Sequence, residues 1–194
     1  MEQHSAVVLD GSEAGDVGAA QVRRVLEDEL RNQGWRVDVY APRELEIAPC
    51  VGCFNCWVKT PGRCENEDDS QAIAAAMISS ELTVFLTPVT FGGYSSLLKR
   101  ALDRVICLVS PFFTRIHGEV HHQRRYPSSP YLLGVGVADE VDSSAAGIFS
   151  TLLERNAINL HAPGHAAAVV RRATAADAMR VALQHLLTAS GVPS

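Results

Sequence analysis

Five times along the chain a short apolar run is followed by a stretch with helical spacing, and this alternation restricts the fold more than any other feature. Residues 6–9 are apolar and end at Asp10-Gly11-Ser12. The stretch 18–32 then carries Val22, Val25, Leu26 and Leu30 at helical intervals, with Gly34 where a C-cap belongs. Residues 35–40 alternate as a second, more exposed strand. After a long loop, Asp69 or Ser70 is placed to cap a helix running to Ser79. Residues 82–86 form a continuous apolar run of the kind buried on both faces. A Gly-rich loop, 87–95, leads into a helix over 97–108, with Leu97, Leu98, Ala101, Leu102, Val105 and Ile106 on one broad face. Residues 111–130 read as irregular, 131–138 as a fourth strand and 141–155 as a fourth helix. The fifth strand falls at 158–161 or at 166–170, and 174–189 form a closing helix.

Five such units imply a parallel sheet with helices on both faces. Right-handed crossovers limit the topology. The natural assignment is a flavodoxin-like three-layer α/β sandwich whose five-stranded sheet has the order 2-1-3-4-5. The 194 residues are enough for one domain with a sizeable core, and 1–194 reads as such, with the loops 41–68 and 111–130 as insertions. A net charge of −5 argues against a nucleic-acid surface. The opening MEQHSAVVLDG has neither a basic stretch nor a long apolar one, and no apolar run is long enough to span a bilayer. The expectation is a cytoplasmic protein that binds neither nucleic acid nor membrane.

Four of the five cysteines lie within fifteen residues, as Cys50, Cys53, Cys56 and Cys64. In a cytosolic chain such clustering favours metal, cluster or redox chemistry over a disulfide framework. The spacing C-x2-C-x2-C-x7-C places three thiolates around one small volume and brings a fourth after the turn at Pro61-Gly62. An iron–sulfur cluster, a tetrahedral zinc ion and metal-free thiols are all compatible with it. Cys107, alone in an apolar helical run, reads as a buried core thiol.

Three blocks of sequence resemble the flavodoxin-fold NAD(P)H-dependent FMN reductases, and among them the iron–sulfur flavoproteins. The first is the cysteine motif after the second strand, followed by Asp68-Asp69. The second runs Thr87-Pro88-Val89-Thr90-Phe91-Gly92-Gly93-Tyr94-Ser95-Ser96-Leu97-Leu98-Lys99, followed by Asp103-Arg104. The third is Gly118-Glu119-Val120-His121-His122 with Arg125-Tyr126. The resemblance spans most of 1–138. It implies FMN as the main cofactor, with NAD(P)H as hydride donor and a [4Fe-4S] cluster on Cys50, Cys53, Cys56 and Cys64. Pro88, Val89, Thr90, Phe91 and Gly92 would lie beside the isoalloxazine ring, their backbone amides reaching its polar edge. Gly11, Ser12, Gly15, Gly18 and Ala19, in the first loop and at the start of the first helix, would hold the phosphate. Electrons would pass to a cluster, a small molecule or a protein, and the protein would be a homodimer or homotetramer. No side chain is required as a catalytic acid or base, because the flavin carries the chemistry. A flavin-free module using its cysteines for metal binding, thiol redox or protein interaction is the alternative.

The first loop departs from the family pattern. The family has Ser-Pro-Arg early in this loop and Ser or Thr near its end, whereas this chain has Glu13, Asp16 and Ala19. Two carboxylates near a phosphate dianion are unfavourable unless they face solvent. His117, His121, His122, Arg124 and Arg125 crowd nine residues, either as a solvated basic loop or as a positive lip over the flavin able to meet a dinucleotide phosphate.

Overall fold

In the computed structural model, which describes residues 3–193, the first strand β1 (Ser5–Asp10) sends alternate side chains into two separate cores. Ala6 and Val8 enter one, and Val7 and Leu9 the other. The same division recurs on β3 (Leu82–Pro88), where Leu82, Val84 and Leu86 oppose Phe85. Strands buried on both faces have no polar side to show, which is why 82–86 reads as an unbroken apolar run.

The first core lies beneath α1 (Val17–Asn32) and α6 (Ala176–Ser190), which supply Val22, Leu26, Leu30, Met179 and Leu183. The second lies beneath α3 (Ser70–Ser79), α4 (Ser96–Arg104) and α5 (Ser143–Leu160), with Ile73, Met77, Leu98, Phe149 and Leu153. The remaining parallel strands are β2 (Arg36–Tyr40), β6 (Tyr131–Ala138) and β7 (His165–Arg171). The sheet order is β2-β1-β3-β6-β7, all parallel. Without the hairpin described next this is the expected 2-1-3-4-5, a flavodoxin-like α/β fold.

Three expectations need correction. Residues 111–130 are not wholly irregular: β4 (Phe113–Ile116) and β5 (Glu119–His122) pair antiparallel. His117 and Gly118, both at positive φ, close the hairpin as a two-residue turn whose twist suits the strands. Residues 158–160 end α5 and are not a strand, so the fifth sheet strand is β7. The helix over 97–108 leaves α-geometry at Arg104 and continues as a 3-10 turn over Val105–Leu108. Within the loop after β2 a four-residue helix, α2 (Asn55–Val58), also forms. No helix among the described residues is long and apolar enough to cross a membrane.

Candidate functional site at the carboxyl edge of the sheet

Ligands of open parallel sheets bind beyond the carboxyl ends of the strands. Here the loops after β1, β2 and β3 meet at that edge. Gly11 joins two of them. Its amide donates to the Leu86 carbonyl at 2.8 Å, and its carbonyl accepts the Ser95 hydroxyl at 2.6 Å. A methyl at Gly11 would lie 2.5 Å from Leu98 Cβ, so only glycine lets the first loop approach α4 this closely.

The expected phosphate residues do lie at the start of α1; the donors of Gly11, Ser12 and Ala19 are in use, while the Gly15 and Gly18 amides have no protein acceptor among the described residues. Asp10, 1% exposed at the end of β1, accepts both the amide and the hydroxyl of Ser12 on Oδ1, at 3.0 and 2.6 Å. Its Oδ2 takes Arg43 at 2.9 Å and Arg23 at 3.1 Å. Arg43 also donates to the Ser12 carbonyl. Asp16 caps α1 by accepting the Ala19 amide at 2.9 Å, and Arg172 pairs with the same oxygen. Burial opposes charge on Asp16, but the Ala19 amide and Arg172 outweigh it and hold the carboxyl below its usual range. Gly15, at φ 82°, faces open space, while Gly18 packs against Arg172. Asp10, Arg23, Arg43 and Arg172 were not singled out from sequence. Asp10 directly precedes the Gly11-Ser12 pair that was, but the arginines come from α1, from the turn after β2 and from beyond β7 and carry no local signature.

At the end of β3, Pro88 and Val89 run into a tight turn closed by reciprocal bonds between Thr90 and Gly93, at 3.0 and 2.8 Å. Phe91 stands at its tip, 99% exposed and at φ 50°. An exposed aromatic in this strained conformation is the kind of residue found at ligand clamps. Among the described residues the Phe91 and Gly92 amides have no protein acceptor. Ser95 caps α4 by accepting the Leu98 amide. Tyr94 is core, set edge-on between Phe85 and Phe149, and burial pushes its hydroxyl up to about 12 while Asn156 donates to it at 3.0 Å.

The loop after β2 is gathered at its neck by two carboxylates. Asp68 accepts the Ala48 amide at 3.0 Å and Asp69 the Glu46 amide at 2.8 Å. Asp69 therefore holds the loop and does not cap α3 with its side chain. Asp68 instead accepts the Ser70 amide, and it meets Arg104, 4% exposed on α4, at 3.1 Å. Burial opposes the Asp68 charge, but the Ser70 hydroxyl, the Ala48 and Ser70 amides and Arg104 prevail and hold its carboxyl below the usual range. Asp103 pairs with Lys99, not with Arg104.

Beyond that neck, Cys50, Cys53, Cys56 and Cys64 all border one cavity of about 930 Å³, whose lining also includes Tyr94, Leu152 and Asn156. All five cysteines are free. Burial raises the Cys56 thiol, and Cys64, Cys50 and Cys53 raise it further because ionised thiols in one volume repel. Among the described residues no three His, Cys, Asp or Glu side chains converge as a metal site. Cys107 is 2% exposed, with burial pushing its thiol up to about 11. Trp57 ties α2 to the turn after α4 by donating to the Ile106 carbonyl, and it stacks on Phe54 at 5.2 Å.

The basic segment is mostly engaged in holding the hairpin down. Arg125 donates twice to the Val109 carbonyl, Arg124 to the Pro127 and His161 carbonyls, and His121 lies between Glu119 and Asn159.

Fold and site together define a flavodoxin-like α/β protein with its binding edge at the carboxyl ends of β1, β2 and β3. The chain belongs to the NADPH-dependent FMN reductase family, whose model matches residues 5–124. An iron–sulfur flavoprotein of Methanocaldococcus jannaschii is 28% identical over 96 residues, 50% of this chain and 49% of that one. One from Archaeoglobus fulgidus is 28% identical over 80 residues, 41% of this chain and 38% of that one. The chain thus matches half or less of the length of these relatives. An NAD(P)H:quinone oxidoreductase from Methanothermobacter marburgensis shares the fold, with a TM-score of 0.68 at 11% identity over 98% of this chain and 96% of the other. So does an azoreductase from Bacillus anthracis, with a TM-score of 0.67 at 10% identity over 96% of this chain and 98% of the other.

The residues present fit one half of the family's flavin better than the other. The Phe91-Gly92 tip offers free amides and an exposed aromatic, suited to a flat ring with a polar edge. The first loop offers a phosphate the Glu13, Ala14, Gly15, Val17 and Gly18 amides, which have no protein acceptor among the described residues, but beside the carboxylates of Asp10, Glu13 and Asp16.

Proposed function

We propose that this chain is a flavin-dependent NAD(P)H oxidoreductase that passes electrons by way of its cysteine loop to a small-molecule or protein acceptor. The observation that carries this reading is the shared cavity. Four thiols line it together with Tyr94, three residues after the exposed turn tip. A ring held at Pro88–Gly92 would lie close in sequence to Tyr94 and so near the end of the cavity that the thiols border.

When bound, the flavin supplies two-electron acceptance from a nicotinamide and one- or two-electron release. The chain's own part is positional. The Phe91 and Gly92 amides would donate to the ring's polar edge, and Phe91 would cover one face. Tyr94, like any tyrosine uncharged at neutral pH and pushed further from ionisation by burial, adds a neutral surface to the cavity. Cys50, Cys53, Cys56 and Cys64 would hold an iron–sulfur cluster, a group that four thiolates suit, once the loop draws them together. Asp68 and Asp69 fix the two ends of that loop. The single-domain reading of 1–194 is part of the proposal, as is assembly into a homodimer or homotetramer. The exposed Phe112, Phe113 and Val120 of the hairpin support the latter. Five free cysteines accord with a reducing, cytoplasmic setting.

The test is an anaerobic purification with a visible spectrum and iron and flavin assays on one sample. Flavin with stoichiometric iron, the iron lost in a folded Cys53→Ser variant, is the expected result. Flavin without iron removes the cluster and leaves a simple reductase. Protein that binds no flavin sinks the proposal and favours the flavin-free module.

A further inference from the structure

We infer that a cavity between the cysteine loop and α3 is a second ligand site, which takes a small organic carboxylate with an apolar body. The cavity has a volume of about 320 Å³, within the range of about 300–1,000 Å³ usual for ligand pockets. Gly62 and Cys64 of the cysteine loop, Ala74 and Ile78 of α3, Leu108 of the turn after α4, and Tyr126 form its walls. It is separate from the larger cavity that the four thiols border, but Cys64 and Arg104 line both.

The side chains of these walls leave donors over, not acceptors. The Ser70 hydroxyl accepts Arg104 Nε at 3.2 Å and donates to Asp68. The Gln71 carbonyl oxygen accepts Arg63 Nε at 3.2 Å, and its amide nitrogen donates to the Cys64 and Asn66 carbonyls. Both are thus engaged. Arg104 is 4% exposed, and its Nε and Nη2 serve Ser70, Asn66 and Asp68, whereas its Nη1 forms no hydrogen bond among the described residues. The hydroxyl of half-buried Tyr126 has no partner there either. It rests over the cysteine-loop turn, where a methyl on Gly62 would lie 2.8 Å from it. Arg63, exposed, reaches Glu67 only at 3.8 Å. No carboxylate is part of the lining; Asp68 balances Arg104 from outside it. Sheltered donors call for acceptors, and a carboxylate brings two oxygens that suit a guanidinium. An inorganic anion would leave Ala74, Ile78 and Leu108 uncovered, and a plain hydrocarbon would leave the donors unpaired. An acid with an apolar body meets both demands. Bound here it rests against Cys64, so its presence bears on the thiol that the two cavities share.

Isothermal titration calorimetry of the full chain as purified, at neutral pH, tests this with benzoate as probe and with benzyl alcohol and inorganic phosphate as controls. Benzoate is expected to bind with a Kd of about 1 mM or below, and each control about ten-fold more weakly or worse. Ala75 lines the cavity from the exposed face of α3, so Ala75→Leu fills it with a good helix former. This variant should weaken benzoate by about ten-fold or more. Tyr126→Phe removes one donor and should weaken it by about two- to ten-fold. Circular dichroism checks folding. If Ala75→Leu does not fold, Tyr126→Phe decides, and unchanged affinity in it overturns the inference. Absence of benzoate binding at about 10 mM, or benzoate binding unaltered in folded Ala75→Leu, overturns the site. Benzyl alcohol or phosphate binding as tightly as benzoate overturns the ligand class. The site needs no flavin, so each of these failures leaves the proposed function standing, and the flavin and iron assays test that function separately.

Discussion

Replacing Asp68 by Asn tests how the cysteine loop is held. The carboxylate lies between the loop and α4. One oxygen accepts the Ser70 amide and hydroxyl, the other accepts the Ala48 amide, and Arg104 reaches both. An Asn has a single acceptor oxygen. If that oxygen stays on Ser70, the amide nitrogen points donors at the Ala48 amide and at a guanidinium that is itself buried. Removing one partner of a buried pair leaves an uncompensated charge and costs about 3–5 kcal/mol. At about 2–4 °C per kcal/mol for a chain of this size, the melting temperature should fall by about 6–20 °C. Urea unfolding at neutral pH measures the free energy directly. The pH dependence gives a second reading. The folded pKa of Asp68 lies below the ordinary aspartate value of 3.8. Its stabilising contribution is therefore complete above that value and disappears as pH falls through the lower, folded one. The wild-type chain should lose this part of its stability in that acid window, and the variant should show no such loss there. A loss below about 1 kcal/mol at neutral pH would mean that the pair behaves as a hydrated surface bridge, and the argument from burial would fail.

Other outcomes follow from burial and close approach. Of the five thiols, Cys50 and Cys53 are exposed and should react first with a disulfide reagent, whereas Cys107, pushed up to about 11, should react only on unfolding or at very alkaline pH. Rapid labelling of Cys107 in the folded chain at neutral pH would contradict its placement. Gly11→Ala sets a methyl 2.5 Å from Leu98 Cβ and 2.8 Å from the Ser95 hydroxyl, and should cost about 1–3 kcal/mol in urea unfolding. A cost near zero would show that α4 moves away freely.

What the sequence revealed, and what it concealed, divides along the range of the interactions involved. Strands such as β3 were legible because burial on both faces writes itself into every residue of the run. The C-cap position at Gly34 was legible because a helix stop is settled within a few residues. The β4–β5 hairpin was missed because its strands are four residues long and lie among prolines and arginines. The signal was the His117-Gly118 pair, a two-residue turn between short alternating stretches. The family's loops were read in the right places, since each follows its strand. Their electrostatics were not, since the partners of Asp10 and Asp16 lie as far away as Arg43 and Arg172.

That last gap bears on how a departure from a family pattern should be read. Taken alone, Asp16 and Glu13 in the first loop signal only repulsion toward an anion. The structure adds that Asp10, at the strand end, is too deeply buried to stand without cations, and that two arginines meet it there. Acid and base at this edge are therefore one unit. Substituting Asp10 alone leaves Arg23 with Glu27 and Arg43 with Glu44, and so turns both guanidiniums partly toward the cavity. Arg43 lies in the 3-10 turn Pro42–Glu44, directly after β2 and at the head of the segment whose neck Asp68 and Asp69 close. The residue that neutralises the first loop thus belongs to the segment that carries the thiols, so a change of anion at one should be felt in the position of the other.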